Sequence, residues 1–298
     1  MNGIINIYKE KGFTSHDVVA KLRGIFKQKK IGHTGTLDPD ARGVLPVALG
    51  NATKVCDLIT DKDKAYRCVM LLGITTDTQD ISGEELSRSE VKASREEIVS
   101  AIESFVGEYD QIPPMYSAIK INGKKLYELA REGKEIERPA RRIKIYGIDI
   151  QEINLPRVTM EVSCSKGTYI RTLCHDIGEK LGCGGAMEDL LRIKSGEFEL
   201  DSALKLSEVE RLVKEGGIEE KIIPVDRVFA ALPAVKCDIR AQKLLLNGNR
   251  IPESFIFGEK QSYEAGQNVR LYDDSGKFTG IYEYKDKTGD FKPVKLFL

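Results

Sequence analysis

A glycine-rich stretch, residues 31–46, contains the best candidate for a catalytic side chain. Asp38 lies there among three glycines and directly before Pro39, and the stretch turns apolar from Val44 onward. Proline pushes the preceding residue towards an extended conformation, and glycine permits close backbone approaches. These residues indicate a rigidly held catalytic carboxylate. The alternative is an Asp-Pro turn whose carboxylate caps nearby backbone N–H groups.

Asp40 raises a second possibility, which is hydrolysis by a pair of carboxylates. Asp38 and Asp40 are two residues apart and flank Pro39. That spacing is unfavourable for placing two carboxylates on either side of one scissile bond. We therefore interpret Asp40 as a loop residue that faces solvent.

The elements around this stretch predict an α+β fold, because strands and helices are interspersed along the chain. Ile143–Ile153 and Val158–Cys164 alternate apolar and polar residues, which is typical of paired antiparallel strands. Asp77–Ser89 is polar and is predicted to be a surface loop. Two helices are expected to begin at capping boxes, Ser94 with Glu97 and Ser207 with Glu210. The elements nearest Asp38 are predicted strands at Gly3–Tyr8, Val44–Leu49 and Tyr66–Leu72, and a helix from Thr14 or Ser15 to about Gln28.

Composition is that of a globular protein, with 41% hydrophobic and 31% charged residues in 298. The longest apolar run, near Val69–Leu72, is far too short to cross a bilayer, and no secretory signal is visible. Six cysteines are scattered without any Cys-x-x-Cys pair, which suits reduced thiols in the cytoplasm and offers no zinc site. We expect a cytoplasmic protein with no metal and no membrane association.

The formal net charge is zero, but the charges are segregated along the chain. From Lys120 to Lys144 there are nine basic residues and four acidic ones, whereas Asp77–Asp110 has ten acidic and three basic. Such segregation can give a neutral protein a face that binds polyanions. Solvated faces that happen to differ in charge are the alternative. A further basic run directly before the glycine-rich stretch comprises Lys21, Arg23, Lys27, Lys29 and Lys30.

The last part of the chain, residues 231–298, differs from the preceding part in its sequence pattern and is predicted to be a small β-rich domain. Val269–Tyr272 and Phe278–Tyr284 form a hairpin pattern around a turn at Asp273–Gly276. The remainder, residues 1–230, then forms the first domain. Basic and aromatic residues of the second domain that could contact an RNA backbone are Lys236, Arg240, Lys243, Arg250, Arg270 and Tyr272.

Several segments together resemble one known family. They are Lys9–Ser15, Gly32–Pro39 with Gly43–Pro46, Lys64–Tyr66, Gly167–Leu173, Pro113–Lys120 and Asn122–Tyr127. The first four, in that order along the chain, are similar to motifs of the bacterial tRNA pseudouridine synthase B (TruB) family. The last two resemble its insertion, expected at about 108–142. The C-terminal part resembles the family's PUA-type RNA-binding domain. Glu10 departs from the pattern, since the family usually has proline there, which puts the stiffness of the entry turn in question.

The resemblance implies a pseudouridine synthase fold, with a mainly antiparallel central sheet, and isomerisation of uridine-55 in the tRNA T loop. The N1–C1′ bond breaks, the uracil rotates while held, and C5 bonds to C1′. No cofactor is required, because nothing is oxidised or imported. Asp38 then stabilises or captures positive charge on the sugar, as in glycosidases. The residues leave open whether it attacks C1′ covalently or first removes a sugar proton.

The resemblance also assigns roles to other residues. Tyr66 stacks on the flipped uracil and is a candidate for removing the C5 proton. Tyr169 and Arg171 lie in the pocket, with Arg171 paired to Asp38, and we expect both on one face of an extended segment. Binding roles are implied for His33, which holds the opened T loop, and for Leu190, a pocket residue. Without the family likeness, Tyr66 would be interpreted as an aromatic residue at the start of a strand, Leu190 as a core residue and His33 as a local hydrogen-bonding group. The alternative for Tyr169 and Arg171 is a pair of surface residues on the first turn of a helix.

The partner implied by the resemblance is tRNA, contacted at the T arm and the acceptor stem. No protein partner is implied, and a monomer is compatible with the sequence. The rival interpretation from another class is a non-catalytic RNA-binding or tRNA-folding module on the same scaffold. The joint presence of Asp38, Tyr66 and Arg171 argues against it.

Overall fold

The computed structural model describes residues 1–121, 123–258 and 262–298, so Asn122 of the insertion motif lies outside the described residues. The strands are β1 (Gly3–Lys9), β2 (Ile31–His33), β3 (Arg42–Leu49), β4 (Lys64–Leu72), β5 (Ile74–Thr76), β6 (Glu85–Arg88), β7 (Gly107–Gln111), β8 (Lys120–Ile121), β9 (Lys124–Lys125), β10 (Arg141–Asn154), β11 (Arg157–Cys164), β12 (Gly185–Ser195), β13 (Phe198–Glu199), β14 (Ala234–Lys236), β15 (Ile251–Pro252), β16 (Asn268–Tyr272), β17 (Phe278–Lys285) and β18 (Asp290–Leu296). The α-helices are α1 (Ser15–Phe26), α2 (Cys56–Thr60), α3 (Arg95–Glu103), α4 (Leu126–Arg131), α5 (Ile170–Lys180), α6 (Leu206–Glu215) and α7 (Gln242–Leu246).

A large mixed sheet forms the centre of the first part of the chain, and the predicted α+β class is confirmed. Its strand order is β1-β3-β12-β4-β11-β10-β7, with β2 added to β3 and β13 added to β12. The pairs are antiparallel except β12 with β3, which is parallel. β12 therefore lies between the strand that follows Asp38 and the strand that carries Tyr66. This order brings segments that are distant in sequence to one place.

The local predictions were confirmed where nearby residues decide the structure. β10 and β11 pair antiparallel, and Ser94 with Glu97 forms the capping box of α3. The box at Ser207 was wrong, because α6 begins at Leu206 and buries that residue in its first turn. The carboxylate of Glu208, not of Glu210, accepts the hydrogen bond at the helix start, from the Lys205 N–H at 2.8 Å.

The prediction of a loop over Asp77–Ser89 was wrong in part. Glu85–Arg88 forms β6, which pairs with β5 as a two-stranded sheet. All four β6 residues are exposed, so the segment lacks the buried alternate positions by which a strand is recognised in sequence.

The C-terminal part forms a second sheet in the order β14-β16-β17-β18-β15, consistent with a PUA-like domain. It has its own apolar cluster, which includes Val269, Tyr282 and Phe291. The predicted hairpin is present as β16 and β17. The division at residue 230 stays a prediction.

A second apolar cluster joins this sheet to the first part of the chain. Ile281 and Phe297 are buried together with Val44, Ala48 and Val55, which lie on or just after β3. Arg270 Nε donates to the Leu232 carbonyl at 2.9 Å, and the Tyr272 hydroxyl donates to the Asp226 carboxylate at 2.8 Å. Arg240 and Arg250 are paired with the carboxylates of Asp238 and Asp290, so four of the six side chains predicted to contact RNA are engaged in contacts within the protein.

Candidate active site

The loop between β2 and β3 carries Asp38 and is anchored at two points before the aspartate. Before the aspartate, the Leu37 N–H donates to the Oγ of Ser15 at 3.0 Å, and Ser15 is buried as the first residue of α1. At the start of the loop, the Thr34 N–H donates to the Pro46 carbonyl at 3.0 Å. Because both anchors belong to regular elements, the backbone around Asp38 is held in one position.

Lys9 lies beneath the same loop and is 1% exposed. Its Nζ donates to the carbonyls of Phe13 at 2.6 Å, Pro39 at 3.1 Å and Glu10 at 3.2 Å. Burial lowers the pKa of this ammonium group to about 8, although the nearby Asp38 opposes the shift. The entry turn, where Glu10 replaces the usual proline, is therefore tied to the Asp38 loop by a buried lysine.

Arg171 joins two carboxylates at the centre of the site. Its Nη2 lies 2.9 Å from Asp38 Oδ2, and its Nη1 lies 3.5 Å from Asp80 Oδ2. The Arg171 side chain is 7% exposed, whereas that of Asp38 is 44% exposed and can reach a ligand. The expected extended segment was wrong at this point, because Arg171 belongs to the first turn of α5 and only Tyr169 precedes the helix.

Asp80 was missed in the sequence. It lies in an acidic segment in which nothing distinguishes it from its neighbours. The residues on either side of Asp80 fix its position. The Ile81 N–H donates to the Met187 carbonyl, and the Thr172 Oγ1 donates to Gln79 Oε1 at 2.7 Å. This contact between a surface turn and the start of α5 has no local sequence signal.

Tyr66 lies on the buried face of β4 next to a fully buried arginine. Arg192 is 1% exposed and stands opposite Tyr66 in the strand register. Its guanidinium donates to the carbonyls of Val44 at 2.7 Å and Gly35 at 3.3 Å. Burial raises the pKa of the Tyr66 phenol, and the positive charge of Arg192 opposes that shift. Arg192 thus fixes the Asp38 loop beside the tyrosine, a role that sequence analysis missed.

Leu190 lies two residues before Arg192 on β12, so its side chain points to the same face. It is 8% exposed and shares an apolar cluster with Leu37, Tyr66 and Ile170. The structure therefore brings Leu190 and Tyr66 together with the residues next to Asp38 and Arg171.

Tyr169 is half-buried at the entrance of α5, where burial raises the pKa of its phenol. Its backbone is bonded to the side chain of Gln111 at the end of β7. The nearby charges of Arg171 and Asp38 act on this phenol in opposite directions. Tyr169 therefore belongs to the same site as the ion pair.

His33 lies at the end of β2, on the side of the loop that faces α1. Its ring meets the ring of His16 edge-on, with centroids 5.1 Å apart. Its Nδ1 is buried without a hydrogen-bond partner among the described residues. Burial lowers the pKa of this imidazole, and the neighbouring His16 lowers it further.

Within the ranges that the structure covers, no group of three or more His, Cys, Asp and Glu side chains could hold a metal ion. No helix in those ranges is long and apolar enough to cross a membrane.

Comparisons with known proteins agree with one another. Residues 23–170 match the model described as TruB family pseudouridylate synthase (N terminal domain), and residues 171–230 match the tRNA pseudouridylate synthase B C-terminal domain. A tRNA pseudouridine synthase B of Lachnoclostridium phytofermentans is 55% identical over the whole of both chains. That of Clostridium tetani is 45% identical, again over the whole of both chains.

Solved structures extend the comparison to the fold. A chain of a Cbf5-Nop10-Gar1 complex is similar at a TM-score of 0.71 and 29% identity, over 99% of this chain and 85% of that one. A chain of an H/ACA RNP bound to a substrate RNA containing 2′-deoxyuridine is similar at a TM-score of 0.70 and 27% identity, with the same coverage.

Proposed function

Because the chain belongs to the TruB family of pseudouridylate synthases, we propose that it isomerises uridine-55 in the tRNA T loop to pseudouridine. The observation that carries this proposal is the Asp38–Arg171 ion pair of 2.9 Å, next to Tyr66 and Leu190 in one site. A half-exposed carboxylate in front of an apolar wall suits a reaction in which a sugar carbon becomes positive while a base is held.

The reaction conserves atoms and electrons. The N1–C1′ bond breaks, a C5–C1′ bond forms, the C5 proton leaves and N1 gains a proton. Asp38 stabilises or captures the charge at C1′, and the route through a covalent sugar or through loss of a sugar proton stays open. Arg171 forms an ion pair with Asp38 Oδ2 and so orients the carboxylate. Tyr66 stacks on the uracil and is the candidate for removing the C5 proton.

The target base must leave its stack before it can enter such a site, which favours a loop uridine over one in a stem. In our proposal His33 holds the opened T loop, and Tyr169 and Leu190 line the pocket for the base. Residues 1–230 carry the chemistry, and residues 231–298 add affinity through contacts with the tRNA acceptor stem. The six free cysteines fit a reducing cytoplasm, where the tRNA substrate is found.

The test is to incubate the protein with an unmodified tRNA transcript, digest the RNA to nucleosides, and map any uridine isomer to its position. We expect one isomer of unchanged mass, at position 55. A transcript with cytidine at that position is the control and should give none. An isomer formed elsewhere, with uridine-55 intact, would overturn the assignment of the substrate position.

A first consequence concerns Asp80. Asp80→Asn removes the second carboxylate from Arg171, so the guanidinium is less well oriented towards Asp38. We expect single-turnover pseudouridine formation to slow by about 10- to 100-fold, as small misplacements of catalytic groups do. Affinity for tRNA should stay within about twofold, measured by filter binding. The control is Asp201→Asn, at an exposed position. Full activity in a folded Asp80→Asn protein would contradict this reasoning.

A second consequence concerns metals. The rearrangement imports no electrons and needs no Lewis acid at its bond changes, and the sequence lacks metal-ligand spacing. Dialysis against a chelator should therefore leave the turnover of a pre-folded T-arm hairpin unchanged. Loss of activity that one divalent ion restores, on RNA whose fold does not depend on that ion, would contradict the expectation.

A further inference from the structure

Gln111, the last residue of β7, forms hydrogen bonds through both ends of its side-chain amide to the backbone of the pocket residue Tyr169. Its side-chain Oε1 accepts a hydrogen bond from the Tyr169 N–H at 2.8 Å, and its Nε2 donates to the Tyr169 carbonyl at 3.0 Å. Gln111 is 2% exposed, so this amide has left water and uses both of its ends on one residue. A buried amide is costly to place unless its bonds are made, which indicates a specific role.

The bonded residue lies where the chain enters α5. The Tyr169 carbonyl also accepts the Leu173 N–H at 3.1 Å, one of the first bonds of the helix. Arg171 follows two residues later and contacts Asp38 and Asp80. The Gln111 amide therefore fixes the segment from which both the pocket tyrosine and the central arginine project.

A second contact shows that β7 and α5 are fastened together. The Tyr109 hydroxyl, two residues before Gln111 and on the same face of the strand, bonds to the Asp176 carboxylate on α5. Tyr109 is tied to the body of the helix, and Gln111 to its entrance. Strand β7 thus holds α5 at two points.

We infer that Gln111 is a positioning residue, whose amide fixes Tyr169 and, through the start of α5, the Arg171 guanidinium that orients Asp38. Catalysis depends on holding reacting groups within fractions of an ångström, and buried supporting hydrogen bonds provide that precision. Gln111 lies outside the reacting atoms and acts through its bonded neighbour. This inference rests on the proposed function and adds a residue to it.

Two substitutions test the inference. Gln111→Met keeps the length and volume of the side chain and removes both hydrogen bonds. Gln111→Glu keeps the acceptor, but its ionised form cannot donate to the Tyr169 carbonyl, whereas its protonated form can make both bonds. Burial raises the pKa of the introduced carboxyl group, so it gains a proton at mildly acidic pH. The control is Gln151→Met, at an exposed glutamine on β10.

The measurement is single-turnover pseudouridine formation and tRNA affinity, after circular dichroism has verified the fold. We expect Gln111→Met to slow the reaction by about 10- to 100-fold with affinity within about twofold, and Gln151→Met to match the parent. The rate of Gln111→Glu relative to the parent should rise at least about tenfold between about pH 8.5 and about pH 5.5. The other ionisable or charged groups near this position are the same in both proteins: Tyr109 on β7, Asp176 and Arg171 on α5, Tyr169 before it, and Arg141 opposite on β10.

A folded Gln111→Met protein with the parent rate overturns the inference, and so does a slow variant whose loss is explained by weaker tRNA binding. If Gln111→Met does not fold, the pH dependence of Gln111→Glu decides, and a flat ratio to the parent overturns the inference. An unsubstituted protein that forms no pseudouridine would instead overturn the proposed function itself.

Discussion

Asp38→Asn is expected to fold, to bind tRNA and to form no pseudouridine. The substitution keeps the volume of the side chain and removes the anion that, in our proposal, faces the sugar. The loss should be on the order of 10⁴-fold or more, as expected when an enzyme loses its nucleophile or main charge-stabilising group. The rate is measured with enzyme in excess over RNA, so that slow product release cannot hide a residual reaction.

Asp40→Asn is the matched control for this substitution. Asp40 lies two residues away in the same loop but is exposed, and we expect its variant to keep the parent rate. If both variants were inactive, a mechanism with paired carboxylates would regain support. Single-turnover conversion by Asp38→Asn at a rate near the parent would remove Asp38 from the chemistry.

Removal of residues 231–298 is expected to destabilise the remaining chain severely. The cut would take Ile281, Phe278 and Phe297 away from the apolar cluster that they share with Val44 and Ala48. Loss of a large buried side chain such as Ile281 or Phe297 costs about 3 kcal/mol. With the half-buried Phe278, these losses are comparable to the total stability of a typical domain. The cut also removes the Leu298 carbonyl, which accepts from Asn51 Nδ2 at 2.7 Å.

The measurement is a melting curve followed by circular dichroism, and we expect the 1–230 fragment to be unfolded or to melt more than about 15 °C below the full chain. Phe297→Ala and Phe257→Ala form a matched pair within the full chain, since Phe297 is 6% exposed and Phe257 is 70% exposed. Only the first should lower the melting temperature clearly. A fragment that melts within a few degrees of the full chain would contradict the shared cluster.

The sequence predicted those parts of the fold that neighbouring residues determine. The Ser94 capping box, the β10–β11 pair and the β16–β17 hairpin each follow from a local pattern. The strand order could not be derived in this way, because the parallel pairing of β12 with β3 joins segments about 150 residues apart. In the sequence, residues such as Ile281 and Phe297 have the pattern of ordinary strand residues. Their contact with the first part of the chain could therefore not be predicted.

The site was predicted through motifs and not through geometry. Asp38 stands out locally, whereas Tyr66, Tyr169, Arg171, His33 and Leu190 were selected by their likeness to a family, and their individual roles stay predictions. The supporting residues were missed for a shared reason: each acts on a segment remote in sequence and carries no local signal. They are Lys9 under the loop, Asp80 on Arg171, Gln111 on Tyr169 and Arg192 behind Gly35.

The most direct test of the central claim uses a tRNA transcript with deuterium at C5 of its uridines. Isomerisation must release the label from the converted base, so we expect the T-loop fragment that contains position 55 to become lighter by the difference between deuterium and hydrogen. The loss should match pseudouridine formation one to one, and all other fragments should keep their label. Retention of the label at position 55 in a bound complex would indicate a binding protein, and release of free uracil would indicate a hydrolase. Either result would contradict the account.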